Sequence, residues 1–283
     1  MKILITGSKG AIGSHLVPYL RNRKHEVVQV IADITDYDRL REIFVEHKDA
    51  DWSINLAAQV NTITCDVAER YSVDVNVKGA FNVATISKEF GIKHCYFSTT
   101  AIYDPRVSLI SEESQKNPAT LYGFTKYLGE QIVQFVFKDK PEELLILRPC
   151  FVFGGDNDHS IGSQIISSAI KQVPLVVLLD PENKKDYMHV DNFCEAVALL
   201  IEEKHSGDFN ISYGQPIRFK ELVEKVKNLG LNPIVYYRPE KDYMKNHVVD
   251  NSKLKSMIDW NPTITLDQGL TEVFHKLMNK KDE

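Results

Sequence analysis

Cysteine is scarce in this chain. Cys65, Cys95, Cys150 and Cys194 are the only 4 in 283 residues, and no two stand in a C-x-x-C spacing. Zinc-ribbon and thioredoxin-type sites are therefore excluded, no metal is expected, and the thiols read as reduced and mostly buried. Basic residues are not in excess. The net charge is −5 and the isoelectric point about 6.0, which leaves no footprint for nucleic acid. No apolar run approaches the roughly 18 residues a membrane span requires. The opening MKILITG is too short in its apolar stretch for a secretory signal. Low-complexity tracts, long linkers and internal repeats are missing too. These absences predict a cytoplasmic, globular chain without nucleic-acid or membrane partners. Its length suits one large domain or two modest ones.

What is present is a rhythm. KILIT, EVVQVI, WSINLAA, HCYFST and LLILRP read as buried strands, rich in branched and aromatic residues. Helices are expected between them, near 11–23, 37–47, 76–90 and 122–136. Strand–helix alternation implies an α/β fold with a doubly wound parallel sheet of Rossmann type. After about Gly155 the rhythm loosens. Helices are expected over 161–170, 190–202, 219–229 and 266–278, with VPLVVLL as a strand. The expected division is residues 1–155 plus about 184–212 as the cofactor domain. Residues 156–183 and 213–283 would form a small substrate-binding lobe closing a cleft.

The first strand runs into TGSKGAIGSHL, where Gly7, Gly10 and Gly13 form G-x-x-G-x-x-G. Glycines let backbone approach a pyrophosphate, and the following helix offers free N–H groups and a positive dipole end. The context of strand, glycine loop and helix is the one dinucleotide binding requires. An acid at the end of the second strand would take the ribose hydroxyls of NAD. EVVQVI instead ends in Ile31, and Asp33 is expected at a shortened third strand near the adenine. Lys9 is placed to meet a 2′-phosphate, so NAD and NADP both stay open.

LYGFTKYLGE sets Tyr122 four residues before Lys126, on one face of an expected helix. An ammonium beside a phenol favours the phenolate and lowers its pKa from about 10. A second Tyr-x-x-x-Lys, Tyr237 to Lys241, is interrupted by Pro239 and is set aside.

Several motifs follow one another: TGSKGAIG, NLAA, FSTTAIYD, YGFTK, LRPCFVFG, KDYMHVDN, FNISYGQPI and DNSKLKSMIDWNP. In this order the chain resembles an extended short-chain dehydrogenase/reductase. More narrowly it resembles the NAD-dependent epimerase/dehydratase family that acts on nucleotide-linked sugars. The resemblance implies Thr99, Tyr122 and Lys126 as the catalytic set. It implies Gly7, Lys9, Gly10, Ala11, Ile12, Gly13, Asp33, Ile34, Leu56, Ala57 and Ala58 at the cofactor, with Tyr122 and Lys126. On the substrate side it implies Gln59, Thr100, Phe151, His159, Lys185 and Arg238. Lys185 replaces a family arginine at the diphosphate, Arg238 stands in an Arg-Pro element, and His159 is a candidate extra base.

The resemblance also narrows the reaction. Dehydratases carry Asp-Glu after the active threonine, whereas here Thr100 is followed by Ala101. That leaves a nucleotide-sugar epimerase as the leading reading. The alternative is an NAD(P)H-dependent reductase of a 4-keto-6-deoxy sugar, which Phe151 favours because most epimerases place asparagine there. A cofactor-sensing protein without catalysis is the rival from another class. Val77, Phe81, Ala84, Ile132, Phe135 and Val136 cannot all pack on one sheet, which predicts a homodimer through a four-helix bundle.

Overall fold

The computed structural model describes residues 1–60, 62–155, 160–239 and 246–279. The first half builds β1 (Lys2–Thr6), α1 (Gly13–Asn22), β2 (Glu26–Val30), α2 (Tyr37–Glu46), β3 (Trp52–Asn55), α3 (Thr62–Val67), α4 (Glu69–Val73), α5 (Ala80–Glu89) and β4 (Lys93–Phe97). Then come β5 (Leu109–Ile110), α6 (Leu121–Val136), β6 (Leu144–Pro149) and β7 (Phe151–Phe153). The remainder comprises α7 (Ile161–Ile170), β8 (Leu175–Val177), β9 (Lys184–Lys185), β10 (Tyr187–His189), α8 (Val190–Glu202), β11 (Gly207–Ile211), β12 (Ile217–Arg218), α9 (Phe219–Lys227), β13 (Val235–Tyr237), β14 (Val248–Val249), α10 (Ser252–Met257) and α11 (Leu266–Asn279).

The central sheet has 6 strands in the order β11-β6-β4-β3-β1-β2, and every neighbouring pair is parallel. The inner strands β1, β3, β4 and β6 are nearly continuously buried, as a sheet covered on both faces demands, while the edge strands β2 and β11 are partly exposed. From β1 the chain steps to β2 on one side, then crosses to β3 on the other. This reversal opens a crevice beyond the carboxyl ends of β1 and β3, where open α/β sheets receive ligands.

The expected short strand at Asp33 does not form. β2 is the sheet's edge, and the chain turns at once, with Asp36 N donating to the Asp33 carbonyl at 3.0 Å. The Asp33 carboxylate accepts from Thr35 N and its hydroxyl, both at 2.9 Å, a local turn that competes with strand pairing. Asp33 is exposed, while Ile34 is buried beneath α5 and its carbonyl takes a hydrogen bond from Asn82.

The helix expected to start at Asn76 starts earlier, as α3 and α4, and reaches α5 through a π-helical turn over Asp74–Gly79. Such turns add a residue to the helix and redirect side chains. This one aims Asn76 inward. α5 and α6 then pack together over Ala80, Ala84, Tyr96, Val133 and Phe137. The surface expected to need a partner is therefore partly satisfied within the chain. Ala84 is fully buried, Ile132 and Val136 are half-covered, and Phe81 and Phe135 stay exposed.

The later elements have their own apolar core, built around Phe153, Ile165, Phe219, Leu222 and Leu270. Beneath α6 lies a dry polar cluster. Arg148 of β6 donates from Nε and Nη2 to the Glu130 carboxylate at 2.8 and 2.9 Å, and both side chains are buried. Arg148 Nη1 also reaches the Tyr103 hydroxyl at 2.8 Å and Asp208 at 2.6 Å. Removing one side of a buried ion pair strands the other charge. Arg148→Met is expected to lower unfolding stability in urea by about 3–5 kcal/mol, whereas Arg148→Met with Glu130→Leu recovers most of that loss.

Candidate active site

The glycine loop is wound so tightly that side chains are excluded. Gly7 has φ +66°, and a Cβ there would stand 2.5 Å from Ala57 N and 2.7 Å from the Leu56 carbonyl carbon. A Cβ on Gly13 would meet the Gly7 oxygen at 2.5 Å, and one on Gly155 would meet the Ala11 oxygen at 2.3 Å. Gly10 N closes the turn onto the Gly7 carbonyl at 3.0 Å. No side chain caps α1 at Ile12, but Ser14 N is turned onto the Gly10 carbonyl at 2.9 Å and His15 N onto the Ile12 carbonyl at 3.1 Å, so this terminus offers an anion chiefly the positive end of the helix dipole. Lys9 and Gly10 are exposed at the tip. Leu56, Ala57 and Ala58 leave β3 directly beside this loop. The cradle thus fits a pyrophosphate on backbone alone, as a dinucleotide cofactor requires.

Thr99 follows β4 and accepts from Ala101 N at 3.2 Å, opening a single 3-10 turn over Thr100–Ile102. Helix α6 is capped by Thr120, whose hydroxyl accepts from Gly123 N at 3.1 Å. A Cβ on Gly123 would meet the Ala101 oxygen at 2.4 Å. That missing side chain lets the first turn of α6 settle on the Thr99 turn, and Thr99 and Tyr122 thereby meet. Asn76 secures the other flank. Its Oδ1 accepts from Gln59 N at 2.8 Å, and its Nδ2 donates to the Gln59 carbonyl at 3.0 Å and to Thr125 Oγ1 at 2.9 Å.

Burial governs the protonation states. It pushes the Tyr122 phenol up to about 12, and the Thr99 hydroxyl beside it opposes the shift. Burial also brings the Lys126 ammonium down from 10.5 to about 7, with the charge of Glu130 opposing. The expected lowering of the Tyr122 phenol by Lys126 is therefore corrected for the protein by itself. Dehydration dominates both groups, and the Lys126 ammonium lies instead over the ring of Tyr96, 4.3 Å from its centroid.

The expected substrate residues are more scattered. Gln59 is half-buried and held by its backbone. The Thr100 hydroxyl donates to the Pro149 carbonyl at 3.2 Å, so it serves the fold. Phe151 is half-buried against Tyr187, His247 and the Lys185 ammonium, with centroid distances of 5.8, 5.6 and 5.9 Å. Lys185 is fully buried on β9, while Arg238 is exposed just after β13, on a different small sheet. His159 and Lys241 lie outside the described residues. Asn76, Tyr96 and the Glu130–Arg148 pair are site-forming residues that sequence reasoning missed.

The depressed Lys126 has a consequence for stability. Between about pH 7 and 10.5 the unfolded chain holds a proton on this amine that the folded protein has released. Unfolding must take up that proton, so this residue's contribution to stability improves as pH rises through the window, by up to about 1.4 kcal/mol per unit. Below pH 7 the folded protein carries the full cost of a buried charge. The stability of Lys126→Met relative to the parent, read from urea unfolding, should be greatest near pH 6 and decline steadily towards pH 9.

The chain is similar in sequence and in fold to several known proteins. The chain is 26% identical to a putative UDP-glucose 4-epimerase of Methanocaldococcus jannaschii, over 98% of each chain. It is 24% identical to UDP-glucuronic acid decarboxylase 1 of Arabidopsis thaliana, over 99% of this chain and 70% of the relative. Its fold matches the UDP-glucose 4-epimerase of Thermus thermophilus, solved with NAD, at a TM-score of 0.89 and 22% identity, covering 98% of this chain and 99% of the other. A dTDP-4-dehydrorhamnose reductase of Clostridium acetobutylicum matches at 0.84 and 22% identity, over 98% and 100%. The sequence profile of the NAD dependent epimerase/dehydratase family matches residues 3–212, about three-quarters of the chain. A match over that share of the chain shows that the protein belongs to the NAD dependent epimerase/dehydratase family.

Proposed function

We propose that this protein epimerises a nucleotide-linked sugar by transient hydride transfer, using a retained NAD. The observation that carries the reading is the Thr99–Tyr122–Lys126 set beside the glycine cradle, with no acidic side chain at Thr100 or Ala101. Elimination of water needs both an acid and a base at that turn. Thr100 spends its hydroxyl on Pro149, and Ala101 has nothing to offer. Epimerisation needs only one proton-transfer group. A nicotinamide cofactor held at the glycine cradle would supply a reversible hydride acceptor. Tyr122 takes the proton from the sugar hydroxyl and returns it, Thr99 orients that oxygen, and Lys126 supplies positive charge below about pH 7. Positive charge entering with an oxidised nicotinamide favours the phenolate, as the raised Tyr122 requires.

Several features support this reading over the reductase. The relatives include a putative UDP-glucose 4-epimerase, and a fold neighbour is an epimerase solved with NAD. Residues 1–155 with 184–212 would hold the cofactor, and the later segments would hold the sugar. The buried Lys185 and exposed Arg238 would divide the diphosphate between them. A homodimer through α5 and α6 would cover Phe81 and Phe135, which are 41% and 61% exposed.

Freshly purified protein is expected to release close to one NAD per chain on denaturation, identified by mass, and to interconvert a UDP-linked hexose pair without added cofactor. An NADPH that exchanges freely, with reduction of a keto sugar, would establish the reductase instead. Sedimentation should give a dimer that Phe135→Lys converts to monomer; a parent that sediments as a monomer would remove the homodimer.

A further inference from the structure

Lys126 is 2% exposed, yet no carboxylate among the described residues hydrogen-bonds its ammonium. Glu130, whose charge reaches it from the same helix, is committed to Arg148 by two hydrogen bonds. What meets the ammonium is the face of Tyr96, at 4.3 Å, the shortest cation–ring approach among the described residues. A ring face attracts a cation most strongly where water is excluded.

Helix α6 is shaped to admit this tyrosine. A Cβ on Gly129 would stand 2.1 Å from the Tyr96 hydroxyl oxygen and 2.7 Å from the Asn76 carbonyl. Glycine weakens a helix interior, so its place here answers a packing demand. Tyr96 is itself buried on β4, and its hydroxyl reaches the Lys126 carbonyl at 3.4 Å. An aliphatic residue would fill the strand position without bringing a hydroxyl into the core. The other ionisable groups nearby are Tyr122, which acts on Tyr96, and the Cys65 thiol of α3, which acts on Tyr122.

We infer that Tyr96 is a positioning residue for Lys126, its ring face holding the amine in charged form behind Thr99 and Tyr122. The inference rests on the function proposed above. The direct test is the protonation midpoint of Lys126 in the full-length protein without substrate. Trace acetylation across pH, with the Lys126 peptide quantified by mass spectrometry, gives it. Position 96 is varied as Tyr96→Phe and as phenylalanines bearing one, three and five ring fluorines, which drain the ring face at nearly constant volume. Tyr96→Phe should keep the midpoint, and the fluorinated series should lower it in order. The five-fluorine variant should fall by about one pH unit, a tenfold change in the protonation equilibrium. A midpoint indifferent to fluorine, or one that rises, overturns the inference. If the five-fluorine variant fails to fold, the one- and three-fluorine members carry the same trend. An ordered series in a protein that turns over no nucleotide-linked sugar upholds the role of Tyr96 and defeats the proposed reaction. A flat series in an active epimerase does the reverse.

Discussion

Glu130 and Arg148 meet through two hydrogen bonds in a core that water does not enter, and this fixes α6 against β6. Tyr122, Lys126 and Glu130 follow one another at four-residue intervals, so they share one helix face. Turning the helix by one residue would break both bonds and carry the phenol away from Thr99. A buried ion pair is a poor source of net stability, because desolvation offsets the attraction. Here its geometric demand matters more. The pair sets the rotation of the helix, and the rotation sets where the Tyr122 phenol stands.

Burial also shapes the chemistry, with Lys126 fully buried and Tyr122 half-buried. Burial favours the neutral form of every group, so it raises the phenol and lowers the ammonium. The protein by itself therefore presents a protonated Tyr122 and an amine poised near neutral pH. Under the proposed reaction, such a site would gain a proton acceptor only when positive charge is added to it, as an oxidised nicotinamide in the glycine cradle would supply. Asn76, turned inward by the π-helical turn, ties the Gln59 loop to α6 and so joins the two halves of the site.

Much of this was legible in the sequence. The strands from KILIT to LLILRP announce themselves because a parallel sheet buried on both faces favours short runs rich in branched and aromatic residues. The glycine loop and the Tyr122–Lys126 spacing are legible because close backbone approach and a shared helix face restrict residue type. The misses have physical causes. TCDVAERYSVDV has no clean apolar period, so α3, α4 and the π turn are stabilised by contacts that only the fold supplies. Asp33 was assigned to a strand that its own side chain helps to abolish. Glu130 reads as a solvent-facing helix residue until Arg148, distant in sequence, is seen beneath it. Tyr96 reads as ordinary core, and Gly129 opposite it has no meaning until the two are adjacent. The direction of the Tyr122 shift depends on burial, which spacing does not reveal.

Control of Tyr122 by dehydration, more than by the neighbouring charge, can be measured in the protein alone. It is tested by carbon NMR of protein labelled at tyrosine Cζ, with the Tyr122 signal assigned by its loss in Tyr122→Phe. That signal should not ionise from pH 6 to 10 in the absence of cofactor, as a phenol raised to about 12 requires. A Tyr122 signal that titrates near neutrality in the same sample would contradict it and return control of the phenol to Lys126.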